Sequence, residues 1–363
     1  MATGEDWGAV HCRMRSAVRA GVFPGAVLLV GRGSRIDFLK SYGVTDCRDG
    51  SPVTPETVFD LASLTKPLAT AMAFLGLWQA GRVRLQDPVG RWLLEAAGAE
   101  TGRISMEQLL AHTGGLPAYH PFYRSLRRLP LDRRKNTLRC WLLRIPLETP
   151  PGSETRYSDL GYLLLEWILE RSAGRSLDRW LAENLYGPLG LGLHFRPDFD
   201  SPAENIAATE RCGWRRRMLR GEVHDDNAWV CGGVAGHAGL FGTAVDVFQL
   251  LSRLLAVYGG AARDPFGDPE RVRRLLTPVG PGRRTPGFDV PTSPRPSCGH
   301  CFSPETVGHL GFTGPSFWMD LRDGVIVVLL THRVHPSRWN FRIRTFRPVL
   351  HNTIRATLGG AAP

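Results

Sequence analysis

Ser63-Leu64-Thr65-Lys66 sets a hydroxyl and an amine three residues apart at the head of an apolar run, residues 67–80, that reads as a buried helix stopped at Gly81. Residues three apart share a helix face, so the Lys66 amine reaches the Ser63 hydroxyl. A serine in a first helical turn also sits where free amides and the helix dipole favour developing negative charge. Together these features describe an activated nucleophile. Of the 45 lysines and arginines only Lys40, Lys66 and Lys135 are lysine. A position needing mere charge would be arginine in such a chain, whereas a desolvated lysine can give up its proton. With 18 serines in the chain, chance alone supplies about 0.15 such pairs. The alternative is a surface lysine that escaped the arginine bias.

The elements that must position this pair come from 363 residues that are 43% apolar, enough to bury a sizeable core as one large domain or two lobes. A helix is predicted over 7–20, then two strands over 24–30 and 36–42 joined by Gly31-Arg32-Gly33-Ser34. Helical patterns follow at 104–112, 157–173 (ending at Gly174) and 177–185. Thr243-x-x-Asp246 caps a helix running to about residue 258. The Pro-, Gly- and Arg-rich stretch 280–296 reads as an exposed loop. Strands over 312–321 and 325–332 and an amphipathic helix over 341–358 complete the chain. Strands at both ends with helices between predict an α/β chain of the α+β type. Residues 1–62 and 230–363 would form a sheet-containing part and 63–229 an inserted, mostly helical lobe. The nucleophile would then lie in the cleft between them.

Composition narrows the function classes. No apolar run is long enough to span a bilayer. The polar residues 1–12 show no secretory signal, and the seven cysteines are odd in number and scattered, which points to the cytoplasm. Cys298-Gly299-His300-Cys301 supplies too few ligands for a zinc site, and Gly236-x-x-Gly239-x-x-Gly242 is not a dinucleotide fingerprint, so neither metal nor cofactor is expected. The net charge of +11 gathers in arginine clusters at 124–135 and 211–220. Without a recognised nucleic-acid motif these read as solvated loops, and no nucleic-acid partner is expected.

Three further segments occur in order after Ser63-x-x-Lys66. They are Leu110-Ala111-His112-Thr113-Gly114-Gly115-Leu116-Pro117, Tyr157-Ser158-Asp159 and Gly308-His309-Leu310-Gly311-Phe312-Thr313-Gly314. From about residue 22 to the final helix the chain resembles the serine β-lactamase and DD-peptidase superfamily, in particular the class C β-lactamase-like esterases. The resemblance implies an antiparallel sheet flanked by terminal helices, with an inserted mostly helical lobe. It makes Ser63 the nucleophile, Lys66 its partner, and Tyr157 the base for acylation and for the deacylating water. It sets His309, Leu310 and Gly311 on an edge strand beside the nucleophile, and assigns the oxyanion hole to the backbone amides of Ser63 and Phe312.

Three departures bear on substrate. His309 stands where the family has lysine, Leu310 where it has threonine, and Asp159 where asparagine is commoner. The first two weaken the grip on a substrate carboxylate, so an uncharged acyl ester is expected unless a nearby arginine replaces the lost cation. Asp159 would pair with Lys66, raise its pKa and shift the load to Tyr157. His224 lies in a Glu-Val-His-Asp loop similar to cleft-lining loops of relatives, and the resemblance makes it a further substrate-binding candidate. His112 and His237 read as structural hydrogen-bond partners, and Tyr119, Trp229 and Trp318 as cleft walls or core. The expected function is a serine hydrolase with an acyl-enzyme on Ser63, acting on a small-molecule ester. The alternatives are a β-lactam or D-amino-acid peptide substrate, or a catalytically lapsed ligand-binding protein.

Overall fold

The structure, a computed structural model, describes residues 6–195, 205–260 and 267–359. Its strands are β1 (Gly25–Arg32), β2 (Arg35–Gly43), β3 (Phe59–Asp60), β4 (His194–Phe195), β5 (Arg211–Cys212), β6 (Arg217–Met218), β7 (Leu240–Gly242), β8 (Thr306–Leu310), β9 (Ser316–Asp320) and β10 (Val325–Thr331). Five of them form one antiparallel sheet in the order β2-β1-β10-β9-β8. The near-continuous apolar runs of β1 and β10 occupy its middle, where both faces are covered. Strand β2, buried only at scattered positions, lies on one edge, and β8 lies on the other. The sheet is thus built from both ends of the chain.

On one face the helices Gly8–Arg19 and Ile343–Thr357 pack through Val10, Met14, Ile343 and Leu350 onto Leu28, Trp318 and Leu329. On the other face, Leu29, Phe317 and Val328 join a larger core with Leu251 and Leu254 of the helix Ala244–Tyr258 and with the central helices. Among these is Asp159–Ala173, N-capped by Ser158 and closed by left-handed Gly174 (φ 69°). The apolar run after Ser63 is helical through Gln79, and it is buried nearly all round because it crosses this core. Its first six residues, Lys66–Ala71, are wound as a π-helix, a widened turn that recurs at functional sites. Among the described residues no helix is long and apolar enough to cross a membrane.

Three local expectations change. The last sheet hairpin begins at Ser316 rather than 312, because residues 311–315 form a turn. The helix Pro269–Leu276 was not anticipated, although Asp268 caps it and Pro269 opens it. The 280–296 segment is irregular as expected, but it is not simply exposed: Thr285, Pro286, Gly287 and Phe288 are buried.

Candidate active site

Ser63 sits in a short 3-10 turn, Ala62–Leu64, immediately after β3. Ala62 adopts φ 47°, a left-handed conformation that costs an alanine about 1–2 kcal/mol. It is held there by its N–H donating to Asp60 Oδ1 at 2.8 Å. Such strain beside a nucleophile is common where surrounding contacts over-determine a site.

Lys66 is fully buried, which removes the surface-lysine alternative. Its three ammonium protons match three acceptors: Asp159 Oδ1 at 2.7 Å, Ser63 Oγ at 3.2 Å and the His237 carbonyl at 3.3 Å. Burial pushes the Lys66 pKa down, but the Asp159 charge and the neighbouring Tyr157 outweigh it, and the amine ends above its ordinary value. Asp159 therefore does point into the site. Tyr157 lies with its ring centroid 4.7 Å from Lys66 Nζ, close enough that Lys66 and Ser63 both favour its charged form. Burial raises its pKa most, Lys66 pulls it back and Asp159 raises it again, leaving the phenol above its ordinary value. The resting site is a hydroxyl, an ammonium–carboxylate pair and a neutral phenol.

His112 supports this corner. At φ 59° its Nδ1 accepts from the Ser158 N–H at 3.1 Å, its carbonyl accepts from the Arg156 N–H at 2.8 Å, and its ring lies 4.5 Å from that of Tyr157. Burial, then Arg284, Lys66 and His309, hold it well below the usual histidine range.

On edge strand β8, His309 is buried, with Nδ1 2.9 Å from the Leu310 carbonyl and its ring 6.0 Å from that of Tyr157. Burial lowers its pKa to about 4, with Lys66 and Arg284 acting the same way against Asp289. Leu310 packs into the apolar layer beneath the terminal helices, on the other face of the sheet. Gly311 starts the turn, its N–H donating to the Pro315 carbonyl at 2.8 Å. Thr313 Oγ1 donates to the Asp60 carbonyl at 2.8 Å and so ties the Phe312 turn to the segment entering Ser63. His224 stacks on Phe312 at 5.4 Å, while its Nε2 meets Glu210 Oε2 at 2.8 Å and its N–H donates to Asp60 Oδ2 at 2.7 Å.

These groups border a cleft of about 600 Å³ whose wall includes Ser63, Tyr119, Tyr157, Asp159, His224 and Phe312. His309, Leu310 and Gly311 do not line it. Trp229 packs edge-on against Trp214 at 5.4 Å, and Trp318 lies in the layer under the terminal helices. Arg338, on the cleft wall, and its partner Glu210 at 2.7 Å were missed because nothing in their local sequence marks them. Cys298 is buried and Cys301 partly so, both as free thiols. Among the described residues no group of three His, Cys, Asp or Glu side chains is placed to hold a metal ion.

A family model described as Beta-lactamase matches residues 13–346. An Escherichia coli (strain K12) protein named "Putative D-alanyl-D-alanine carboxypeptidase" is 34% identical over 351 residues, covering 86% of this chain and 79% of its own length. Among solved structures, EstCE1, described as a hydrolase with promiscuous acyltransferase activity, matches with a TM-score of 0.70 at 25% identity over 93% of this chain and 97% of its own. D-alanine carboxypeptidase AmpC from Burkholderia cenocepacia shares the fold, with a TM-score of 0.71 at 17% identity over 96% of this chain and 97% of its own.

Proposed function

The chain belongs to the β-lactamase family of serine hydrolases, and from its site we propose that it works through an acyl-enzyme on Ser63, with esters of uncharged acyl groups as substrates. The phenolate form of Tyr157 accepts the Ser63 proton as Oγ adds to the ester carbonyl. The Lys66 ammonium holds Oγ and favours the phenolate. The Ser63 and Phe312 amides receive the oxyanion, each such donor being worth about a hundredfold or more in rate. The phenol then gives its proton to the departing alkoxide, and the phenolate is regenerated. A water repeats the cycle on the acyl-enzyme: Tyr157 takes its proton and returns one to Ser63 as the carboxylic acid leaves.

One observation carries the choice of substrate. At the position where a substrate carboxylate would meet lysine, this chain has His309, buried away from the cleft and kept neutral, with a pKa of about 4. Leu310, beside it, packs on the other face of the sheet. A second reading, hydrolysis of a D-amino-acid peptide, is favoured by the name of the Escherichia coli relative and by Arg124 and Arg338 on the cleft wall. Purified protein tested with a short-chain nitrophenyl ester, nitrocefin and a D-Ala-D-Ala peptide separates the two. The ester reading expects a burst with the ester and phosphonate labelling that Ser63→Ala abolishes. A peptide turned over about tenfold faster than the ester would support the second reading instead. Absence of labelling would sink both.

A further inference from the structure

Two cations touch the Tyr157 ring: Lys66 Nζ at 4.7 Å from its centroid and the Arg284 guanidinium carbon at 5.2 Å. Arg284 belongs to the Pro/Gly-rich 280–296 segment, and that segment is pinned on both sides. The Gly282 N–H donates to Thr155 Oγ1 at 2.9 Å, and the Gly287 N–H to the Leu110 carbonyl at 3.1 Å. Asp289 exchanges backbone hydrogen bonds with Gly308 of β8 at 2.7 and 2.9 Å, so the segment also covers that sheet edge. Gly287, at φ 111°, lies where an added Cβ would be 2.6 Å from the Ala71 Cβ, so a side chain there would push the segment off the core. Arg284 is thus held on a fixed stretch of backbone, with its guanidinium ion-paired to Asp289.

We propose that Arg284 is a positioning residue for the acyl transfer, supplying beside Tyr157 the second cation that His309 does not supply and favouring the phenolate. The proposal rests on the reading of Tyr157 as the base. The groups that face Tyr157 are Lys66 and Ser63 from the nucleophile helix, Asp159 from the following helix, His112 from the segment after Met106–Leu110, His309 from β8, and Arg284 with its partner Asp289. Tyr162, one turn further on, lies beside His112. Near neutral pH the two imidazoles are uncharged, held low first by burial, and Arg284 lowers both of them further. Its field therefore already reaches the rings that flank Tyr157. A cation over a ring whose oxygen is becoming an anion strengthens as the charge develops.

The test is the pH profile of kcat/KM for a neutral nitrophenyl ester with the wild type, Arg284→Gln, Arg284→Lys and Tyr157→Phe. It is paired with the phenolate absorbance of each protein read against Tyr157→Phe. Arg284→Gln should move the ascending limb and the matching phenolate titration up by about one pH unit. The variant should lose about tenfold near neutral pH, recover at alkaline pH and keep its KM. Arg284→Lys should retain most of the wild-type profile. A profile that Arg284→Gln merely scales down at every pH overturns the proposal, as that is the mark of a structural role. If Arg284→Gln does not fold, a limb displaced as far in Arg284→Lys, which keeps the charge, overturns it equally. Tyr157→Phe separates the premises: full retention of activity removes the base assignment itself. Loss of the limb in Tyr157→Phe with an unmoved limb in Arg284→Gln removes only Arg284.

Discussion

The Lys66 ammonium lies 2.7 Å from the Asp159 carboxylate and 3.2 Å from Ser63 Oγ. The amine beside the nucleophile is therefore neutralised by a carboxylate, and its proton is held rather than offered. An asparagine at 159 would keep a hydrogen bond to Lys66 without the charge. The carboxylate instead raises both Lys66 and Tyr157 against the states that a base requires.

Asp159→Asn should accordingly shift the ascending limb of the esterase profile toward acid and raise kcat/KM near neutral pH by about threefold to tenfold. The buried Lys66 loses its counter-charge, so folding stability should fall by about 1–3 kcal/mol. Rate profiles and urea unfolding of the same preparation read both effects. An unshifted limb would show that Asp159 does not set the proton affinity of this trio.

Replacing His309 by lysine restores a cation near Tyr157. Acyl donors with a free carboxylate should gain on neutral esters by about tenfold in relative kcat/KM, the scale of one charge-assisted hydrogen bond. Competition between a D-alanyl peptide and a neutral ester measures it. An unchanged ratio would mean that the buried site keeps the new side chain out of the cleft.

The chemical residues are legible in the sequence because their spacing is local: Ser63 and Lys66 share a helix face, and Tyr157 and Asp159 flank the Ser158 cap of one helix. The apolar runs of β1 and β10 likewise announce central strands. Leu310 illustrates a consequence that strand periodicity already contained. Successive side chains alternate faces, so with His309 toward Tyr157, Leu310 must lie on the other side of the sheet. Arg284 was not legible in this way. Its place depends on backbone contacts to Thr155, Leu110 and, through Asp289, Gly308, none of which leaves a mark in the local composition.

Gly311 has no room for a side chain. A Cβ there would lie 2.7 Å from Pro315 Cγ and 2.8 Å from the Leu61 carbonyl oxygen, which is backbone just ahead of Ser63. Gly311→Ala must therefore spread the Phe312 turn from the Ser63 turn and misplace one of the two proposed oxyanion donors. kcat should fall about a hundredfold while KM stays within about threefold. Steady-state kinetics checks this, and a change confined to KM would place the effect in substrate binding.

The Asp225–His237 pair gives the site a pH-dependent strut. His237 Nε2 lies 3.0 Å from Asp225 Oδ1, and the His237 carbonyl accepts from Lys66, so loosening the pair loosens the cation. Burial lowers the His237 pKa, but the Asp225 charge and hydrogen bond outweigh it and the net shift is upward from 6.5. Burial raises Asp225, yet His237 carries it well below 3.8. A histidine raised in the folded state contributes its full stability below its unfolded pKa and loses it as pH rises through the folded value. An aspartate that is depressed contributes above its unfolded pKa and loses that as pH falls. The pair should therefore stabilise most between about pH 4 and 6.5. Asp225→Asn, which leaves His237 buried and neutral, should cost about 3 kcal/mol near pH 5.5 and distinctly less near pH 9, read by urea unfolding at each pH. An equal loss at both would mean that His237 is already uncharged in the native protein and that the contact is an ordinary hydrogen bond.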